Sequence, residues 1–197
     1  MREWIVANGL GGYASLTSRL SNSRKYHGLL VASLNPPTER NVFVSNILDE
    51  IEISNKRINL SDFKPEFSFD LFPTFTYEFD DVKIKKKILM EQGKNTTILN
   101  YKINTKKPIK IIHNPIVNSR HIYDVNRERY LSFETKFDKN KITVSPNNTD
   151  KKINIFSKDF DFEERFYWEE FYYKEDRERR DSWIDNNVHI GKIVKKI

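Results

Sequence analysis

The chain contains no cysteine. Disulfides and thiolate metal centres are thereby excluded. No apolar run approaches the ~20 residues that a membrane-spanning helix needs. The opening Met-Arg-Glu-Trp is followed by no apolar stretch of the kind a secretory signal carries, so no membrane partner and a cytoplasmic location are expected. Glycine is scarce at six residues in 197, and four of the six (Gly9, Gly11, Gly12, Gly28) are crowded near the start. Glycine permits positive φ and close backbone approach, so this crowding marks one place of unusual backbone. No Pro/Gly/Ser-rich linker divides the chain, which predicts a single domain over residues 1–197. The four histidines (His27, His113, His121, His189) lack ligand spacing, and no metal is expected. His113 and His121 would meet only if they stood on neighbouring strands. Gly9-Leu10-Gly11-Gly12 does not open the strand–helix unit of a dinucleotide site, and no serine is framed as a nucleophile elbow, so no cofactor is expected.

What is present is 38% hydrophobic and 31% charged residues, with aromatics at 13%, a balance that fits a globular chain able to bury a sizeable core. The net charge of +6 is uneven: −2 over residues 1–80, +11 over 81–158 and −3 over 159–197. The basic middle admits two readings. An anionic partner such as a nucleic acid would use it, and so would solvated sheet faces and lysine-guarded strand edges. Asn95-Thr96-Thr97 and Asn147-Asn148-Thr149 match a glycosylation pattern and are read as chance matches.

Hydrophobic periodicity is that of strands. Phe67, Phe69 and Leu71 alternate with Ser68 and Asp70; Phe75, Tyr77 and Phe79 with Thr74, Thr76 and Glu78; Val82 and Ile84 with Lys83 and Lys85. Further strands are predicted over 4–7, 41–54 (two runs around Asn46), 58–60, 97–103, 109–117, 130–137, 141–145 and 153–157. Asn55-Lys56-Arg57, Asp138 to Lys141 and Asn147 to Lys152 are turn-like. Roughly a dozen strands without a sequence repeat predict an all-β chain, a large antiparallel β-sandwich with little helix. Phe160 to Arg180 differs: aromatic alternation favours strand up to Tyr173, and the charged residues after it suit a helix. Its rings would pack a sandwich edge or form a ligand platform.

The densest motifs lie in Glu3 to Ala32: Asn8-Gly9-Leu10-Gly11-Gly12-Tyr13, then Asn22 to Leu30 with Arg24-Lys25-Tyr26-His27-Gly28. Together with Trp4, Pro36-Pro37 and Arg40, this stretch resembles the opening of the N-terminal domain of prokaryotic-type glycogen debranching enzymes, the amylo-α-1,6-glucosidase group. Lys25 stands where an arginine is common in that family. The resemblance extends to Pro115 through His121 and to Trp168-Glu169-Glu170-Phe171-Tyr172-Tyr173 with Glu175, Arg177 and Arg179. It leads one to expect a glycine followed by acidic residues and then Pro-Gly; the chain has Arg180-Asp181 and His189-Ile190-Gly191 instead.

The resemblance implies a galactose-mutarotase-like supersandwich that is not catalytic alone, because the family's catalytic carboxylates belong to an (α/α)6 barrel absent from these residues. It implies binding or positioning of α-glucan, such as glycogen or a maltooligosaccharide, and packing against that barrel as a domain or subunit. Self-association could cover a face left without its barrel. Asn8, Gly11, Gly12, Tyr13, Arg24, Tyr26, His27, Arg120 and His121 are the candidate glucan-binding residues, having the types that line sugar sites. The same residues could instead build turns and inter-domain contacts. A nucleic-acid-binding β module using the basic middle is the rival function.

Overall fold

The computed structural model describes residues 2–79 and 81–197, and these are 62% strand and 4% helix. Fifteen strands are found among them. An eight-stranded antiparallel sheet contains β1 (Glu3–Ala7), β2 (Tyr13–Thr17), β3 (Gly28–Asn35), β4 (Glu39–Ile53), β10 (Ile109–His121), β15 (Ile184–Lys196) and β14 (Asp161–Tyr172), in that spatial order, with β5 (Lys56–Asn59) beside β4. A four-stranded sheet, β6 (Glu66–Phe69), β7 (Pro73–Phe79), β8 (Val82–Met90) and β9 (Thr97–Thr105), and a three-stranded sheet, β11 (Phe133–Asp138), β12 (Lys141–Pro146) and β13 (Ile153–Phe156), complete the sandwich. Five-residue α1 (Lys174–Glu178) follows β14, where the charged run after Tyr173 suits helix.

Alternation explains the layering. On β8, Val82, Ile84 and Ile88 are buried and Lys83, Lys85 and Lys87 exposed. Phe75 and Tyr77 turn inward from β7, and Phe75 meets Trp4 of β1 edge-on at 5.9 Å. Ile142, Val144 and Ile153 of the three-stranded sheet join the same core. The two runs expected around Asn46 are one fifteen-residue strand, β4. His113 and His121 lie on one strand, β10, eight residues apart; at about 3.3 Å per residue they cannot meet.

Irregularities cross the large sheet at one level. The β10–β15 register shifts between His113 and Ile116, around Pro115, which has no N–H to give a ladder. The β4–β10 register shifts between Ile116 and Val117. The β14–β15 register shifts between Glu164 and Tyr167, opposite Gly191. Gly191 sits at φ +140, where an added Cβ would lie 2.3 Å from the Glu163 carbonyl oxygen. Bulges re-aim side chains and often stand beside functional sites. Past this level the strands turn polar: Ser45 and Asn46 on β4, Asn118, Ser119 and Arg120 on β10, Asp185, Asn186 and Asn187 on β15, all buried.

Candidate functional site

This polar end is held by a dense hydrogen-bond network. Arg120 Nε donates to Asp185 Oδ2 at 2.8 Å, and its Nη2 donates to the Lys25 carbonyl at 2.7 Å. Tyr173 donates its hydroxyl to the same Asp185 oxygen at 2.7 Å. The Asn126 amide donates to Asp185 Oδ1, and Asn118 Nδ2 to Asn187 Oδ1, both at 2.8 Å. The Lys25 amide donates to Asp176 Oδ2 at 2.6 Å, while Lys25 Nζ reaches Asp181 at 2.8 Å and the Tyr123 carbonyl at 2.9 Å. Burial alone would lower the Arg120 pKa, yet Tyr173 and Asp185 raise it, so the guanidinium stays charged. Burial pushes the Tyr173 phenol far up, so it donates as a neutral hydroxyl. Burial likewise raises the Asp176 carboxyl, and the hydrogen bond from Lys25 lowers that of Asp181.

The network forms the rigid back of a recess of about 480 Å³. Asn41, Arg120, His121, Tyr123, Asp124 and Tyr130 are among its lining residues. Tyr123 and Tyr130 are 57% and 60% exposed, so their rings stand open at its rim. Buried Asn41 Oδ1 has no hydrogen-bond partner, nor has buried Nε of the adjacent Arg40. Orphaned buried polar atoms are uncommon and call for a partner.

Of the nine candidates read from the sequence, two line this recess and two more connect to its lining through contacts. Arg120 and His121 line the recess. Tyr13 donates to the Tyr26 carbonyl at 2.7 Å, and burial raises its phenol to about 12. Tyr26 meets Tyr123 edge-on at 5.9 Å, and the His121 ring lies 5.2 Å from that of Tyr123. The other five lie apart from the recess. Arg24 Nε is paired with Glu3 at 2.7 Å. His27 Nδ1 accepts from the Ser23 amide at 3.1 Å, leaving Nε2 3.7 Å from Glu3; burial depresses the imidazole to about 4 despite that carboxylate.

Asn8, Gly11 and Gly12 build a clasp between turns. Asn8 Oδ1 accepts the Leu10 and Gly12 amides, and Nδ2 donates to the Lys94 carbonyl and to Asn95 Oδ1, at 2.9–3.0 Å. Asn95 in turn bonds both backbone groups of Ser33. A Cβ on Gly12 would sit 2.6 Å from Asn8 Nδ2, and one on Gly11, at φ +96, would sit 2.7 Å from the Pro37 carbonyl oxygen. The Asn8 side chain is thus satisfied within the protein.

Asn118, Asn126, Tyr173, Asp176 and Asp185 are not among the sequence candidates. For Asn118 and Asp185 the signal is present as polar triplets, Asn118-Ser119-Arg120 and Asp185-Asn186-Asn187, interrupting apolar strands. Arg180, in the segment where a glycine is expected, adopts φ +60 just beyond α1, a conformation glycine takes readily.

On β8 the lysines of the basic middle lie away from the rings of β7. Lys83, Lys85 and Lys87 share the outer face of β8, and Lys102 of β9 pairs with Lys85. The rings of Phe75 and Tyr77 on neighbouring β7 are buried on the opposite face. Among the described residues no group of three or more His, Asp or Glu could hold a metal ion. No helix of the described residues is long and apolar enough to cross a membrane.

No curated protein and no solved structure matches the chain. The family model described as "Glycogen debranching enzyme N terminal" matches residues 2–197. With an antiparallel β-sandwich carrying that family's opening motif, and a match over essentially its whole length, the chain belongs to the glycogen debranching enzyme N-terminal family.

Proposed function

We propose that the chain serves as a non-catalytic β-sandwich that contacts α-glucan and packs against a catalytic helical barrel. The observation that carries this reading is the recess: a rigid polar wall built on Arg120, unpartnered Asn41 Oδ1, and two open tyrosine rings. Sugars are held by aromatic faces together with fixed polar groups in a concavity. Glycoside hydrolysis needs two carboxylates flanking the bond, and Asp124 is the one carboxylate on this lining. The recess therefore suits binding, with chemistry supplied by the partner. Phe166, Tyr167 and Tyr172, each more than 40% exposed along edge strand β14, suit an edge that meets the barrel.

Trp183 follows Ser182, a lining residue, and is partly exposed, so its fluorescence reports on the recess. Titration with maltoheptaose should shift it with a millimolar dissociation constant, and Tyr123→Ala should abolish the shift. No change at saturating millimolar sugar removes direct glucan contact.

A further inference from the structure

The layer opposite the eight-stranded sheet is not continuous. The four-stranded sheet ends at β9, which pairs with β8 alone, and the three-stranded sheet ends at β13, which pairs with β12 alone. A cleft of about 750 Å³ separates them. Residues 95–101 and 152–157 line it without a break. Successive strand side chains point to opposite faces. An unbroken lining run therefore means that the strand's edge, with its row of N–H and C=O groups, looks into the cleft. The floor is apolar, formed by Leu30, Val44 and Ile47 with Ile111 and Ile193. Ile98 and Phe156 stand exposed at the two edges, Phe156 at 71%. Lysines 152 and 195 are on the lining, and no Asp or Glu side chain is.

We propose that this cleft receives an extended polypeptide strand that joins the two small sheets into one layer, hydrogen-bonding β9 along one side and β13 along the other. A lipid chain would fill the apolar volume but leave two rows of backbone donors and acceptors facing it unpaired, whereas a strand satisfies both. The six to seven lining residues on each side, at about 3.3 Å per residue, set the length of the segment at about seven residues. Its alternate residues face the Ile111–Ile193 floor and are apolar. Lys195, directly cross-strand from Ile111 on the floor, and Lys152, at one end of the β13 run, meet no Asp or Glu side chain on the lining, so the segment carries acidic residues towards its ends. This inference stands independently of glucan binding, since the cleft shares no lining residue with the recess.

The test is hydrogen–deuterium exchange on the full chain, with and without the acetylated, amidated heptapeptide Glu-Val-Glu-Val-Thr-Val-Glu. Free-edge amides within residues 98–104 and 153–157 should slow at least tenfold with the peptide, and not with a version carrying proline at alternate positions. The double variant Lys152→Glu/Lys195→Glu alters one exposed and one half-buried side chain, so it should fold, bind this peptide at least tenfold more weakly, and prefer a lysine-bearing counterpart. Three outcomes overturn the proposal: no peptide-dependent protection of either edge, displacement of the peptide by decanoate with no edge protection, or protection that arises without peptide in a dimer detected by light scattering.

Discussion

Lys86→Met gives the sharpest test of how the two main layers are joined. Lys86 occupies an inner position of β8 between Ile84 and Ile88, so its ammonium enters the core. There Nζ lies 2.7 Å from Asp49 Oδ2 on β4, and both side chains are almost wholly inaccessible. Asp49 also accepts the Tyr101 hydroxyl at 2.9 Å and meets His113 Nδ1 at 2.7 Å. Burial alone would raise the Asp49 pKa; Lys86 and His113 outweigh it and hold the carboxyl well below the usual carboxylate range. Methionine keeps most of the stem and deletes the charge. Stranding one partner of a buried pair costs about 3–5 kcal/mol. Because Asp49 retains Tyr101 and His113, the low end, about 3 kcal/mol, is expected. With a urea slope of about 2 kcal/mol per molar, the unfolding midpoint at pH 7, followed by tryptophan fluorescence, should fall by about 1.5 M. A cycle with Asp49→Asn should return a coupling of at least about 2 kcal/mol. The sign with pH is fixed by the depressed pKa. The stabilisation is complete above the unfolded-state value of about 3.9 and drains as pH falls below it, so the deficit of Lys86→Met should shrink below about pH 4. A midpoint within about 0.3 M of the parent at pH 7, or a deficit indifferent to acid, refutes the account.

Other predictions concern the motif turns. His27 is depressed from 6.5 to about 4 by burial; stability is therefore full above about pH 6.5 and falls by about 1.4 kcal/mol per pH unit down to about pH 4, about 3.5 kcal/mol in all. His27→Asn should flatten that limb in a series of melts, and an unchanged limb would assign it to other groups. Gly12→Ala should cost about 1–3 kcal/mol by forcing Asn8 from its clasp. If its urea midpoint is unchanged, the close approach does not constrain the turn. Arg180→Gly should stabilise by about 0.5–1 kcal/mol by relieving φ +60; a loss in Tm would show that the arginine side chain matters there.

Much of the fold follows from local chemistry. The two-residue alternation of Phe75 with Thr74 and Thr76, or of Ile84 with Lys83 and Lys85, determines strands and their inner faces without outside help. The glycine-dense opening determines turns at Gly9 and Gly11, both at positive φ. The family is written in those same residues. Partner choice is not local. Nothing in Asn8 itself says that it clasps Asn95, 87 positions away, rather than a sugar, because an asparagine side chain serves either equally well. Lys86 breaks the alternation rule's usual meaning, since a buried ammonium is admissible only where another strand brings a carboxylate to it. Arg120 likewise gains its role from Asp185 and the Lys25 carbonyl, which the pairing of β10 with β15 and the loop before β3 bring within bonding distance. The recess and the cleft between β9 and β13 exist only once long-range pairing has decided which strand edges are covered. Local propensity sets strand, face and turn; which polar groups meet, and which are left open, depends on contacts that no short stretch contains.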